Sequence, residues 1–522
     1  MTTITGDILI GGEALAGAGE RSFRATDPKT GASLEPAFVF AGEAEVDRAA
    51  RLAWDAFDAF RETPLDLRAR FLEAIADEIE ALGDSLIERA AAETGLSPRR
   101  LGLERARTTF QLRLFAKVVR DGEWLDLRID PAIPERKPFP RLDIRLRQIG
   151  VGPVAVFGAS NFPFAFSVAG GDTAAAFAAG CPVLVKGHPA HPGTGELVGR
   201  AVQAAARTCG LPAGVFALLL GGTETGAALV RHPAVRSVGF TGSPGGGLAL
   251  MAIAAARPQP IPVHAEMSSI NPVFILPGAL ASRTEEIARG FVDSLSLDAG
   301  QYCTNPGLVY ALDGPDLEAF LAHVEAALAK KHAEAMLTAG IHAAFDKGVE
   351  ALATNAAVQT LGRGQTGDDE NSSPPAVFLT DAAAFEADER LGHEVFGASS
   401  LVVRCADVEA MIEAAERMEG QLTATLQLDQ DDIATARRLL PVLERRVGRI
   451  LGNGWPTGVE VGHAMVHGGP FPATADSRFT SVGTLSIRRF LRPVSYQNLP
   501  EALLPEVLRD ESLPRLVDGK RV

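Results

Sequence analysis

Val154-Ala155-Val156-Phe157-Gly158-Ala159-Ser160-Asn161-Phe162-Pro163 carries four successive apolar residues into a turn bearing glycine and asparagine. A short unbroken apolar run reads as a strand buried on both faces, and the turn after it leads into a helix expected over Ala165 to Ala179. The pattern then repeats. Pro182 to Lys186 reads as a strand, Gly195 to Thr208 as a helix, Val215 to Leu220 and Val235 to Phe240 as strands, Gly246 to Ala256 as a helix and Ile261 to Ala265 as a strand. Such alternation predicts an α/β fold with a parallel sheet covered on both faces by helices. Sheets of this kind take ligands beyond the carboxyl ends of their strands, which makes a nucleotide the natural guest.

Working outward, Asp47 to Ala116 reads as several amphipathic helices; over Leu65 to Leu82, for example, Leu67, Phe71, Ala74, Ile75 and Ile79 recur at helical spacing. Downstream, Asn271 to Gly469 reads as a second α/β unit, with strands at Leu308 to Leu312, Leu401 to Val403 and Gly448 to Leu451. Between the helical and doubly wound regions, Pro131 to Arg147 is rich in proline and charge. It ends in the alternating stretch Leu142-Asp143-Ile144-Arg145-Leu146-Arg147, an exposed strand for which Ser486 to Phe490 is the expected partner. Projecting strands of this sort pair across subunit interfaces, so a homodimer or homotetramer is expected. Gly364 to Pro375 is polar and turn-rich and reads as a surface loop.

Composition bounds the function. At 522 residues, 46% of them apolar, the chain exceeds one hydrophobic core, and two or three domains are expected. A net charge of −15 argues against general affinity for nucleic acid or anionic membranes. Cys181, Cys209, Cys303 and Cys405 lie far apart with no paired spacing, which favours neither a metal site nor a disulfide framework and fits a reducing compartment. The first residues carry no basic and apolar leader pattern and no apolar run is long enough to span a bilayer, so the cytoplasm is the expected location.

Cys303, in Leu297-Asp298-Ala299-Gly300-Gln301-Tyr302-Cys303-Thr304, lies in a turn-rich context able to expose sulfur and supply backbone amides, unlike the other three cysteines with their apolar or helical neighbours. Glu266 follows the last strand of the first sheet, where a carboxylate can serve as general base to a thiol nucleophile. Asn161 opens a helix after a strand and can aim its amide at a developing oxyanion. Lys186 ends a strand where a ribose hydroxyl or phosphate would arrive, and Gly239-Phe240-Thr241-Gly242-Ser243-Pro244-Gly245-Gly246-Gly247 offers a glycine-rich approach to a diphosphate. Singly, each has a plainer reading: core thiol, solvated carboxylate, turn asparagine, surface lysine, packing glycines.

Together these segments resemble the aldehyde dehydrogenase superfamily from about residue 20 to 500. The resemblance implies a Rossmann-type cofactor domain over 1–130 and 151–265, an α/β catalytic domain over 266–470, oligomerisation strands over 131–150 and 480–500, and a tail over 501–522. It makes Cys303 the nucleophile, Glu266 the base and Asn161 the oxyanion donor. Lys186 becomes a ribose ligand, and Phe240, Thr241, Gly242 and Ser243 with Gly247 the cofactor turn. In His393-Glu394-Val395-Phe396-Gly397, it gives Glu394 the nicotinamide ribose and sets Phe396 beside the nicotinamide. Two departures matter. Glu266-Met267-Ser268-Ser269 replaces the family's Glu-Leu-Gly-Gly, and Pro189 stands where a glutamate frequently binds the adenosine ribose, which tilts the expectation slightly from NAD to NADP.

The C-terminal segments Asn453-Gly454-Trp455-Pro456-Thr457-Gly458-Val459-Glu460 and His467-Gly468-Gly469-Pro470-Phe471-Pro472-Ala473-Thr474 resemble the branch holding 2-oxoglutarate semialdehyde dehydrogenases and a related fatty aldehyde dehydrogenase. The activity implied is oxidation of 2,5-dioxopentanoate to 2-oxoglutarate through a cysteine thioester. The alternatives are an NADP-dependent fatty aldehyde dehydrogenase, a CoA-acylating dehydrogenase, or a catalytically silent binding protein on the same scaffold. A substrate carboxylate would need a guanidinium, for which Arg113 on the predicted helix Glu104 to Ala116 is a candidate; Phe162, Phe166 and Phe471 are candidates for an apolar wall.

Overall fold

The computed structural model describes residues 3–522. At the centre of the first sheet, Val154–Phe157 is flanked in parallel by Val183–Lys186 on one side and Ser237–Thr241 on the other, with Phe216–Leu219 and Val263–Glu266 outside them. Ile8–Ile10 and Glu13–Leu15 extend one edge antiparallel. The chain therefore steps outward from Val154–Phe157 in one direction and then returns to its other flank, so a crevice opens where the connections after residues 157 and 241 part in opposite directions. The four residues of the central strand are all buried, as their unbroken apolar run requires.

The helix expected over residues 165–179 is shorter, Gly171–Ala178. Residues 158–170 instead fold back on the strand end, Ala159 donating to the Phe166 carbonyl at 2.8 Å. Gly158 permits that approach, because a Cβ there would sit 2.7 Å from the Phe166 oxygen. Leu65–Ala81 packs between Pro98–Asp121 and Pro192–Thr208. Phe60 and Phe71 meet Phe177 in the buried interior. The helix Pro98–Asp121 starts on Ser97, whose side chain caps the Arg100 amide, and stops at Gly122 in the left-handed region.

The second sheet runs Gln359–Arg363, Ala376–Asp381, Ser399–Cys405, Leu308–Leu312, Val273–Ile275, Gln421–Gln427, Val447–Gly452, all parallel except the first. Gln421–Gln427 escapes a hydropathy reading because glutamine and threonine alternate with its apolar residues, yet every residue of it is buried. Its polar groups are used internally: Gln421 Oε1 accepts from the Ile270 amide at 2.7 Å and the Ser269 hydroxyl at 3.0 Å.

A third sheet orders Leu491–Gln497, Ile144–Gly150, Leu127–Asp130, Arg515–Val517 and Lys520–Arg521. The partner of the charged strand is thus Leu491–Gln497, not Ser486 to Phe490, which lies in a short 3₁₀ segment, Thr484–Phe490. Pro493 reconciles the two, since a proline is tolerated on the outer edge of a sheet, where this strand lies. The tail joins this sheet through Arg515–Val517, parallel to Leu127–Asp130. Among the described residues, no helix is long and apolar enough to cross a membrane.

Candidate active site

Cys303 follows a coil in which Asp298, Ala299 and Gly300 all hold positive φ, +47°, +57° and +68°. At Gly300 a Cβ would lie 2.4 Å from the Ala398 nitrogen, so the coil is pressed against the Gly397–Ala398 backbone. Asn271 clamps the other side by donating to the carbonyls of Cys303 and Asn305, each at 2.9 Å. Glu266 arrives from the carboxyl end of Val263–Glu266, bridged to Thr474, while the Met267 amide donates to Ala473 at 2.8 Å. That bridge brings in the segment bearing His467. The Cys303 sulfur lies 3.3 Å from His467 Nε2, which is 2.9 Å from Glu266 Oε1; Ser481 donates to the other carboxylate oxygen. The ligand-type atoms of Cys303, Glu266 and His467 all lie within 4.8 Å of one another.

Electrostatics here are strongly biased. Burial, followed by the charges of Glu266 and Glu394, pushes the Cys303 thiol well above its usual range. Burial also opposes charge on Glu266, but His467 and the Ser481 hydroxyl outweigh it and hold the carboxyl below its usual value. The resting cluster is therefore a protonated thiol beside an ionised carboxylate, with an imidazole between them. Asn161 Nδ2 donates to the Gln301 carbonyl at 2.9 Å, and its second N–H remains for an incoming oxygen.

Cys303 lines a crevice of about 840 Å³ between the two large sheets, while Glu266 and His467 line a separate small cavity. From the first sheet come Asn161, Pro189, Thr241, Gly242 and Ser243; from the second unit come Cys303, Glu394 and Phe396. Burial raises Glu394 to about 7, partly offset by a 2.7 Å hydrogen bond from Ser268, and lowers Lys186 to about 8. Neither has an ion-pair partner among the described residues.

The sequence profile of the aldehyde dehydrogenase family matches residues 15–470. The chain belongs to the aldehyde dehydrogenase family. It is 60% identical over 522 residues, 99% of each chain, to alpha-ketoglutaric semialdehyde dehydrogenase 2 of Azospirillum brasilense. It is also 48% identical over 479 residues, 91% of each, to alpha-ketoglutaric semialdehyde dehydrogenase of Acinetobacter baylyi. The fold of PnpE from Pseudomonas sp. WBC-3, solved in complex with nicotinamide adenine dinucleotide, superposes with a TM-score of 0.80 at 20% identity, covering 96% of this chain and 99% of that one. The oxidoreductase fold expected from the sequence, a Rossmann-type unit beside an α/β catalytic unit, is the fold of the molecule.

Within this family fold the expected residues land unequally. Cys303, Glu266 and Asn161 come together. Phe240 and Gly247 do not line the crevice: the Phe240 ring lies under Gly242 and Gly246, and Gly247 lies against Met267, so both shape the turn from behind. Lys186 stops at the same strand edge as Phe157, its register partner. Phe162 and Phe166 form a half-buried pair 5.1 Å apart, with Phe162 5.7 Å from Tyr302. Phe471 is 59% exposed and does not close a wall. Arg113 is a correction. Its guanidinium binds Asp77 at 2.7 Å and Glu80 at 2.6 Å on the neighbouring helix, at the surface and away from the thiol. Sequence reasoning missed His467 and Arg107. The segment carrying His467 stood out only for its glycines and prolines, and nothing local marked the imidazole as a partner of a sulfur 164 residues away.

Proposed function

We propose that the protein oxidises 2,5-dioxopentanoate (α-ketoglutaric semialdehyde) to 2-oxoglutarate with a nicotinamide dinucleotide, NADP ahead of NAD, using Cys303 as nucleophile. The observation carrying this reading is the Cys303–His467–Glu266 cluster, whose half-buried sulfur lines a dinucleotide-sized crevice. The choice of aldehyde is supported by the two semialdehyde dehydrogenases to which the chain is similar over nearly its whole length. The crevice suits the cofactor: Glu394 in its lining, and Lys186 at the strand end two residues before the lining residue His188, are half-buried groups without a counter-charge among the described residues, a state that ribose hydroxyls would relieve. Pro189 itself brings no carboxylate to repel a 2′-phosphate; Arg24 and Glu370 line the same crevice.

His467 Nε2 is placed to take the thiol proton, with Glu266 stabilising the imidazolium as sulfur attacks the aldehyde carbon. The Asn161 amide and the Cys303 N–H hold the resulting oxyanion. The bound dinucleotide supplies the hydride acceptor. A thioester then remains on Cys303, and Glu266 draws a proton from the water that hydrolyses it, freeing the sulfur and the carboxylate product. Retention of this base favours water over CoA as the acyl acceptor.

Steady-state kcat/KM on 2,5-dioxopentanoate and hexanal, each with NAD and NADP, tests the reading. A higher value on the semialdehyde is expected. A preference for hexanal replaces it with a fatty aldehyde dehydrogenase, and a KM for NAD well below that for NADP overturns the cofactor order.

A further inference from the structure

Arg107 on the helix Pro98–Asp121 differs from Arg100 and Arg113 on the same helix and from Arg449, all three of which are already committed. Arg100 pairs with Glu104 at 2.5 Å and Asp298 at 3.2 Å. Arg113 is held by Asp77 and Glu80. Arg449 donates to the carbonyls of Gly458 and Pro456, both at 2.7 Å. Arg107 makes neither an ion pair nor a hydrogen bond among the described residues. Its guanidinium carbon lies 5.3 Å from the centre of the Phe166 ring, that ring lies 6.1 Å from the His467 imidazole, and His467 Nε2 lies 3.3 Å from the Cys303 sulfur.

We propose that Arg107 is the receptor for the carboxylate at the far end of the substrate and thereby selects short oxo acids over uncharged aldehydes. The proposal rests on the semialdehyde reading above and names the residue that would enforce it. The guanidinium is half-buried, with its nitrogens open to solvent and without a protein acceptor among the described residues, and its planar fork of five donors matches a carboxylate in two parallel hydrogen bonds. Burial pulls Arg107 below its usual pKa; the charges of Glu104 and Glu460, and that of Cys303 once ionised, favour its cation and that of Arg100 opposes it. Glu104 does not neutralise it, being taken by Arg100 and by the amides of Phe164 at 2.9 Å and Ala165 at 2.8 Å. The Phe166 ring touches both the cation and the His467 imidazole, and with Phe162 packed on it at 5.1 Å it offers an apolar side for the methylenes between the two ends of the substrate.

The test is the ratio of kcat/KM for 2,5-dioxopentanoate to that for pentanal, an uncharged aldehyde of equal carbon number, in wild type, Arg107→Met and Arg107→Lys. Loss of a charge-assisted hydrogen bond predicts a drop in the ratio of about 10- to 100-fold in Arg107→Met, expressed mainly in KM for the semialdehyde, with Arg107→Lys between the two. If Arg107 acted only by supporting charge on Cys303, both aldehydes would suffer alike; an unchanged ratio overturns the assignment. Should the Met variant fail to fold, the Lys variant decides: a ratio equal to wild type counts against a bidentate receptor, and a partial fall supports it. A wild type that prefers pentanal sinks the semialdehyde reading itself, whereas a wild-type preference for the semialdehyde with an insensitive ratio in the variants sinks only the role of Arg107.

Discussion

The two walls of the crevice are built by different means. On the side of the first sheet, the strand ends and the turn Thr241–Pro244 offer a surface of backbone and small residues, with Phe240 filling in behind the glycines and Met267 lining the crevice beside them. On the side of the thiol, the reacting groups are side chains drawn from five distant stretches, at residues 107, 161–166, 266, 303 and 467, interlocked by hydrogen bonds and ring contacts. A backbone-built wall binds what many related ligands share, and single substitutions there act weakly. A wall of convergent side chains sets chemistry and selectivity, and each member is expected to matter separately.

Perturbations of the thiol wall come first. Cys303→Ala removes the atom that forms the covalent bond and is expected to lower kcat by about 10⁴-fold or more while the protein still melts cooperatively. Glu266→Gln is expected to slow the first-turnover burst of reduced cofactor only modestly and then to slow steady turnover by about 10²- to 10⁴-fold, because hydrolysis loses its base; stopped-flow absorbance reads both phases, and a vanished burst would make support of the His467 imidazolium, not hydrolysis, the main role of Glu266. Asn161→Ala is expected to cost about 10²- to 10³-fold in kcat, and a change confined to KM would argue against an oxyanion role.

The cofactor wall gives a gentler, pH-dependent signature. Glu394, raised to about 7, gains a proton as the pH falls and becomes a poorer acceptor for hydroxyls; Lys186, lowered to about 8, loses its proton as the pH rises. The kcat/KM for cofactor is therefore expected to be highest between these values and to fall on both sides. Glu394→Gln should flatten the acid limb alone, and an acid limb that persists in that variant breaks the assignment. Arg113→Ala, outside both walls, should leave the ratio of the two aldehydes untouched and change stability by no more than about 1 kcal/mol, as for other exposed ion pairs.

How much of this was legible followed the same division. The strands around Val154–Phe157 and the turn after Thr241 are written locally, in apolar runs and glycines, and could be read without coordinates. The thiol wall could be read only in part: Cys303, Glu266 and Asn161 were recognisable through ordered motifs, but His467 was not, since its meaning depends on the bridge between Glu266 and Thr474. Arg107 and Arg113 make the point within one helix. Six residues carry a helix about 240° around its axis, so one faces the aromatic wall and the other faces Asp77 and Glu80. Which face looks inward is decided by the packing of Pro98–Asp121 on its neighbours, a quantity with no local trace in the chain.

The coil before the nucleophile has one more implication. Left-handed backbone at a residue bearing a Cβ costs about 1 kcal/mol or more, and Asp298 and Ala299 both adopt it directly ahead of Gly300. Glycine at position 299 would remove that penalty and raise the melting temperature, yet it would also let the peptide segment ahead of the sulfur wander. Thermostability and turnover are thus coupled with opposite signs at a single methyl group, and a screen that selects for heat resistance alone would be drawn toward the variant with the less well-aimed thiol.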